Sequence, residues 1–445
     1  MKNRMKMLLA TLVALSLLTA GLAFAEEGLQ LDAGTAEAVG ELPQLALEDG
    51  TLAVEGAALV SEDVEANTEG DEIVAKINKA NFPAKDFRNY VLKNIDANGD
   101  KKLSRSEADA VTQLMLRTYE DAEEGKNAWN ISTLKGVEYF SNLEQLECHK
   151  CKVKELDVTK NTKLKALDCE HNSLTKLDVT KCPELDELRC EDNQLTKLDV
   201  TKCTKLKELN CGNNRISALN VTKCPKLEEL QVKDNNLKKL DVSANKVLEG
   251  LNCENNKLKA LDLSKNAKLK GLDCGFNSIK KLDLSKCSKL EELYAWDNEL
   301  TSLNVTKCPK LAILYCQTNE LTSLNVTKCP KLRILICGDN PFNKLNLTNN
   351  RALQELNCFN TGLTALDLSK CTKLRQMFCF RSPIKTLDLK NCAILRGYIK
   401  SGDFWIEKDL AAGWKVTIDG EYTDGLIISP STTVTNGKKV LYQGA

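Results

Sequence analysis

From Leu143 to Ile394 apolar residues return on a fixed 21-residue beat, so this stretch divides into twelve gapless units. Three of them read LKALDCEHNSLTKLDVTKCPE (164–184), LKELNCGNNRISALNVTKCPK (206–226) and LAILYCQTNELTSLNVTKCPK (311–331). The first half of a unit follows L-x-x-L-x-C-x-x-N-x and the second L-x-x-L-x-V-x-x-C-x-x. Each half offers a short extended segment with an inward leucine, then an Asn or Cys where the chain turns. This predicts two short strands per coil and little helix, because the second half is β-branched and rich in turn formers. A fixed period of this length means stacked units whose apolar stripes are buried only against their neighbours.

Two further columns define the coil. Asn172, Asn193, Asn214, Asn235, Asn256, Asn277, Asn298, Asn319 and Asn340 recur at one position. A buried amide there is expected to donate to carbonyls left unpaired as the chain bends. Eighteen of the nineteen cysteines fall in two other columns. One exchanges Cys for Val232 and Ala295, the other for Asn161, Asn245, Asn266 and Asn350. Such exchange is the behaviour of a buried packing group and weak S–H donor, not of a nucleophile or metal ligand. Column neighbours stacked at ~4.8 Å with parallel Cα–Cβ bonds fit disulfide geometry poorly, so mostly free thiols are expected.

With leucine at the LxxLxCxxNxL spacing, these columns resemble the leucine-rich-repeat family, and in period and exported context internalin-like surface proteins of bacteria. The resemblance covers residues ~111–394. It implies a right-handed, predominantly β solenoid with parallel strands on a concave face, and recognition of a protein or glycan by exposed residues of those strands. Thr361 and Ser382 depart from it, replacing Asn in the last two coils.

Residues 76–142 precede the regular units as a helical cap and an irregular first repeat. Within them DANGDKKLSRSE (96–107) resembles an EF-hand calcium loop. The resemblance implies calcium held by Asp96, Asn98 and Asp100, the Lys102 carbonyl, Ser104 and a bidentate Glu107. Lys101 stands where such loops carry a turn-forming glycine; the alternative is an Asx-rich turn between two helices. Residues 395–445 leave the period. Trp414–Ile418, Gly425–Ser429, Thr432–Thr435 and Lys439–Tyr442 alternate like strands, with Asp419-Gly420 and Asn436-Gly437 as turns, which predicts a small β cap.

At the other end, Lys2, Arg4 and Lys6, an apolar run from Leu8 to Leu18 and Ala23-Phe24-Ala25 read as an export signal over residues 1–25. The run is too short to span a membrane, and no later segment reaches the ~18 apolar residues a span needs. Residues 26–75 carry fourteen Asp and Glu and neither Lys nor Arg, the composition of an acidic disordered spacer. Lys and Arg together number 62, as do Asp and Glu; with zero net charge no uniformly basic nucleic-acid footprint exists. A secreted or cell-surface location follows.

Outward strand positions change character along the array. Early coils present Glu147, Asp168, Glu187, Glu208 and Glu229; later ones present Tyr294, Tyr315, Ile336, Asn357 and Phe378. Beside these lie Ile313 and Ile334 on one side, and Trp296, Phe359 and Phe380 on the other. An exposed apolar and aromatic stripe marks an interface, so Tyr294, Trp296, Ile313, Tyr315, Ile334, Ile336, Phe359 and Phe378 are the candidate ligand-binding residues. The competing reading is that the C-terminal cap folds over Phe378 and Phe380. Lys176, Lys197, Lys239, Lys281 and Lys344 form a solvated face, or more sharply an anionic-glycan site. Cys148-His149-Lys150-Cys151 with His171 suggests zinc or redox chemistry, but Cys148 and Cys151 both occupy structural columns. No nucleophile elbow, phosphate loop or HExxH appears, so catalysis is not expected. The expected function is binding or adhesion to a protein or glycan; the alternative is a structural spacer without a ligand site.

Overall fold

The computed structural model describes residues 71–116, 130–389 and 391–392, and the backbone of strands at 405–406, 425–428, 433–436 and 439–442. The export signal, the acidic spacer up to residue 70 and the expected strand at Trp414–Ile418 lie outside the described residues.

The first half of every unit forms a three-residue strand, from β4 (Gln145–Glu147) to β15 (Gln376–Phe378). With β3 (Gln113–Met115) before them, and β17 (Trp405–Ile406) and β18 (Gly425–Ile428) beyond, they make one 15-stranded sheet. Register advances by one unit per strand: Leu146 faces Leu167, and Leu167 faces Leu188, always in parallel. Side chains alternate across a strand, so the central leucine is buried and the two flanking residues point outward. The product is a leucine-rich-repeat solenoid whose core is one continuous stack of Leu, Val and Cys.

The second expected strand of each coil does not form in the regular units. Its Val-Thr segment is instead a turn begun by the preceding Asp or Asn. Asp178 Oδ1 accepts from both the backbone N–H and hydroxyl of Thr180, at 2.9 and 2.7 Å, and Asp199 treats Thr201 alike. Tight turns follow, with Cys182 N donating to Val179 O at 3.0 Å and Leu185 N to Cys182 O at 3.3 Å. Local side-chain acceptors of this kind compete with ladder pairing for the backbone N–H groups. Among the described residues a strand appears in a second half only at β16 (Thr386–Asp388), which pairs with β19 (Thr433–Asn436), itself in a hairpin with β20 (Lys439–Tyr442). The chain beyond 395 therefore both prolongs the main sheet, through β18 on β15, and covers this second edge.

The asparagine column does the work expected of it. Asn214 Nδ2 donates to the carbonyls of Cys190, Cys211 and Gly212 at 2.8–3.2 Å, and its Oδ1 accepts from Leu195 N at 2.9 Å. Each such amide ties its own bend to the coil before. The residue just ahead of the column is left-handed in all twelve units, from Lys150 (φ 54) to Arg381 (φ 57). Where Asn is lost, the Thr361 and Ser382 hydroxyls lie 2.9 Å apart and each within 3.0 Å of Cys358 O, so that one donates to the carbonyl and the other to its neighbouring hydroxyl or to the carbonyl in its place. The bend thus survives the departure that put it in question.

All nineteen cysteines are buried and free. In the second column Cys182, Cys203, Cys224, Cys329 and Cys392 donate weakly to a carbonyl one coil back, as Cys203 does to Val179 O at 3.6 Å. Asn245 and Asn266, in the same column, reach the equivalent carbonyls at 3.0–3.1 Å. This accounts for the exchange of Cys with Asn and with no other polar residue.

At the N-terminal end, β1 (Ile73–Lys76) pairs antiparallel with β2 (Lys102–Ser104), and helices α1 (Lys85–Asn94) and α2 (Arg105–Ala110) pack beside them. Phe82, Phe87, Val91 and Leu103 are fully buried in the same core as the coil leucines. The cap thereby closes the open end of the stack.

Candidate functional site on the outer face of the sheet

Outward residues come from the positions flanking each central leucine and from the seventh position of the unit. In the early coils these are charged and paired. Arg189 reaches Glu187 at 2.8 Å and Glu208 at 2.6 Å, and Lys233 reaches Glu191 at 3.0 Å. Stacking like charges on adjacent strands is unfavourable, and burial among neighbours adds to it. Glu170, Glu229 and Asp273 are each pushed up to about 7, by desolvation first and by adjacent carboxylates second. Farther along, burial does the same to Glu355. The face therefore holds carboxylates whose ionisation the fold itself disfavours.

The later coils gather six of the expected ligand-binding residues. Tyr315, Ile334 and Ile336 form a hydrophobic cluster of their own, separate from the main core, with Tyr294, Trp296 and Ile313 packed against it. They come from β11 (Glu292–Tyr294), β12 (Ile313–Tyr315) and β13 (Ile334–Ile336), in register at Tyr294↔Tyr315↔Ile336. The Tyr294 and Tyr315 rings meet edge to face at 5.0 Å. The stripe is less open than its sequence suggested: Tyr315 is 4%, Ile334 9% and Ile336 3% exposed. Coils this close let large side chains shield one another.

Phe359 and Phe378 stand apart from that cluster. Phe359 is 3% exposed and stacks on Phe380 with centroids 5.3 Å apart, while the Phe378 backbone pairs with Ile427 of β18. The cap thus prolongs the sheet beside Phe378. Glycine permits two of the close approaches here. A β-carbon at Gly275 would collide with the Trp296 ring, and one at Gly338 with the Phe359 ring. The sequence carried this signal as glycine in the seventh column, but a residue's absence is not conspicuous among aromatics. Gln317, between Trp296 and Gly338 in that column, also escaped notice: it is 2% exposed.

In the cap loop the expected calcium ligands are turned on to the backbone. Asp96 Oδ2 accepts from Lys101 N at 3.1 Å, Asn98 Oδ1 from Asp100 N at 2.9 Å, and Asp100 Oδ1 from Lys102 N at 2.8 Å. Glu107 accepts from Ala97 N and Ser104 N, each at 2.9 Å, and Ser104 caps α2 through Glu107 N. Lys101 adopts the left-handed conformation (φ 61) that a glycine would supply. Asp96 Oδ1 is buried without a partner. Among the described residues no group of three or more His, Cys, Asp or Glu is drawn together closely enough to hold a metal.

The CxxC is part of the stack. Cys151 donates to Leu116 O at 2.6 Å, and burial pushes its thiol up to about 12. His149 lies 3.7 Å from Asp168, whose hydrogen bond raises it, and His171 lies 2.8 Å from Asp192. The two histidines face separate carboxylates. Lys176, Lys197, Lys239, Lys281 and Lys344 are all exposed.

Residues 183–223 match the family model for leucine-rich repeats in two copies. Among solved structures, the functional domain of InlJ from Listeria monocytogenes, described as including a cysteine ladder, is 30% identical. The match covers 73% of this chain and 75% of that one, with a TM-score of 0.62. A leucine-rich-repeat protein of Leptospira interrogans is 25% identical over 59% of this chain and 74% of that one, with a TM-score of 0.55. The internalin InlF of Listeria monocytogenes shares the fold at 22% identity, 72% and 96% coverage and a TM-score of 0.60. No curated protein matches the chain. Among the described residues no helix is long and apolar enough to cross a membrane.

Proposed function

We propose that this chain, which belongs to the internalin-like leucine-rich-repeat family, is an exported binding protein that grips a protein partner with the outer face of its sheet. One observation carries the reading: Tyr294, Trp296, Ile313, Tyr315, Ile334 and Ile336 form an apolar cluster on the outer side of the sheet, separate from the solenoid core. Large side chains on the solvent side of a sheet add contact area for a partner at low entropic cost. The uneven face, acidic then aromatic, argues against a spacer, which would repeat one surface. The export signal and the absence of a catalytic constellation in the sequence agree with such a role.

Tyr294→Ala combined with Tyr315→Ala should abolish capture of a specific surface protein while lowering the melting temperature by only a few degrees. Lys239→Ala, on another face of the coil, should leave capture intact. Equal capture by the tyrosine variant and wild type in a quantitative pull-down, followed by direct titration of the captured protein, would remove the basis of this reading.

A second reading concerns the cap: we infer that residues 96–107 bind calcium and that the ion stiffens the closed end of the stack. The spacing of Asp96, Asn98, Asp100, Lys102, Ser104 and Glu107, the left-handed Lys101 and the unpartnered, buried Asp96 Oδ1 support it. Millimolar calcium should raise the melting temperature and give a calorimetric binding isotherm, with both effects lost in Asp96→Asn. A melting curve indifferent to millimolar calcium refutes the site.

A further inference from the structure

Gln317 sits on the same side of its coil as Ile313 and Tyr315. It is 2% exposed, and neither its amide oxygen nor its amide nitrogen has a hydrogen-bond partner. Among the described residues it is the one side chain left unsatisfied at both ends. Other polar residues in its column are engaged, as Glu191 is with Lys233 and Asn210. Its column neighbours are Trp296 and Gly338, the latter covered by the Phe359 ring. A leucine in this place would suit the fold better, since an unpaired buried amide is destabilising. The amide therefore has no structural employment.

We propose that Gln317 is a hydrogen-bonding clasp for the backbone of a bound polypeptide, which lays an apolar side chain across Tyr294, Tyr315 and Ile336 with basic residues towards the early coils. A carboxamide offers one acceptor and a pair of donors side by side, the complement of a peptide unit's N–H and C=O. A glycan is the poorer fit. Its many hydroxyls need partners, and Ile313, Ile334 and Ile336 of the neighbouring apolar cluster have none to give. The sign of the flanking charge comes from Glu292, Asp273 and Glu254, outward carboxylates between the aromatic cluster and the acidic coils; burial disfavours their charge in the free chain, and a cationic segment laid beside them would favour it. The inference rests on the sheet face being the binding surface and adds the class of ligand and the residue that reads its backbone.

The test uses the full chain as wild type, Gln317→Leu and the tyrosine double variant. Probes are fluorescein-labelled twelve-residue peptides with a central Leu or Phe and either Lys or Glu flanks, beside labelled chito- and malto-oligosaccharides. Lys-flanked peptides should bind wild type best. Gln317→Leu should weaken them about tenfold or more yet raise the melting temperature by about 2–4 °C. N-methylation of the central peptide amide should cost wild type the same factor and Gln317→Leu nothing, because the two changes remove one interaction. Unchanged affinity in Gln317→Leu, a lower melting temperature, additive losses, or binding of saccharides alone would each overturn the clasp. If the tyrosine variant loses peptide while Gln317→Leu keeps it, the surface stands and only the clasp falls; if both keep it, both readings fall.

Discussion

Asn256→Ala is expected to cost the fold about 3–4 kcal/mol, whereas Asn245→Cys, only eleven residues away in the same coil stack, should change it by less than about 1 kcal/mol. Asn256 Nδ2 donates to Val232 O, Cys253 O and Glu254 O at 2.9–3.2 Å, and its Oδ1 accepts from Leu237 N at 2.9 Å. Alanine would strand a buried N–H and several carbonyls at once, and each stranded group costs its desolvation in full. Asn245 also donates twice, to Val221 O at 3.0 Å and Cys224 O at 2.7 Å, but its own Oδ1 is buried without a partner. Cysteine forfeits the better donors and removes that orphan, and it already fills this column in most coils. Because the lesion at Asn256 lies in the sixth of twelve units and each coil leans only on its neighbours, urea unfolding should also broaden as the two halves uncouple. Equal losses for the two variants would show that the columns are interchangeable.

That contrast marks where the sequence was legible. Leu, Asn and Cys columns announce the period, the inward face and the amide ladder, because each residue type has one physical reason to recur. The second strand was misread because Val-Thr is β-branched, while the deciding residue was the Asp or Asn ahead of it, whose oxygen captures the N–H and hydroxyl of Thr180 and its equivalents. Side-chain capture of a backbone donor is local chemistry that a hydropathy pattern does not display. On the outer face, six of the eight candidate residues do meet in one cluster. Phe359 and Phe378 do not: Phe359 stacks on Phe380, and Asn357 stands between Ile336 and Phe378 in their column. Gln317 was invisible for a different reason. Its oddity lies in having no partner, a property of surroundings and not of sequence.

The cysteine columns carry the largest expected effect, and it appears in alkali. Burial pushes Cys211 and Cys316 up to about 12 and Cys182 and Cys287 up to about 11, and raises Cys148, Cys169, Cys190 and Cys337 well above the ordinary thiol range. In the unfolded chain the same thiols ionise near 9. Folded values above unfolded ones mean that this contribution to stability is complete below pH ~9 and is lost as pH rises towards the folded values. Each thiol forfeits up to about 1.4 kcal/mol per pH unit in that window, and nineteen act together, so a fold of ordinary stability should unfold cooperatively within about one unit above pH 9. In reducing buffer, circular dichroism should collapse there while remaining native at pH 8. Lysine and tyrosine also titrate in this range, so the cause is isolated by replacing Cys190, Cys211, Cys253 and Cys274 with valine, the residue that position already accepts at Val232. The variant's alkaline midpoint should rise and its pH dependence become shallower. A midpoint unmoved by removing four thiols would mean that some other group, and not the desolvated sulfurs, sets the alkaline limit of the solenoid.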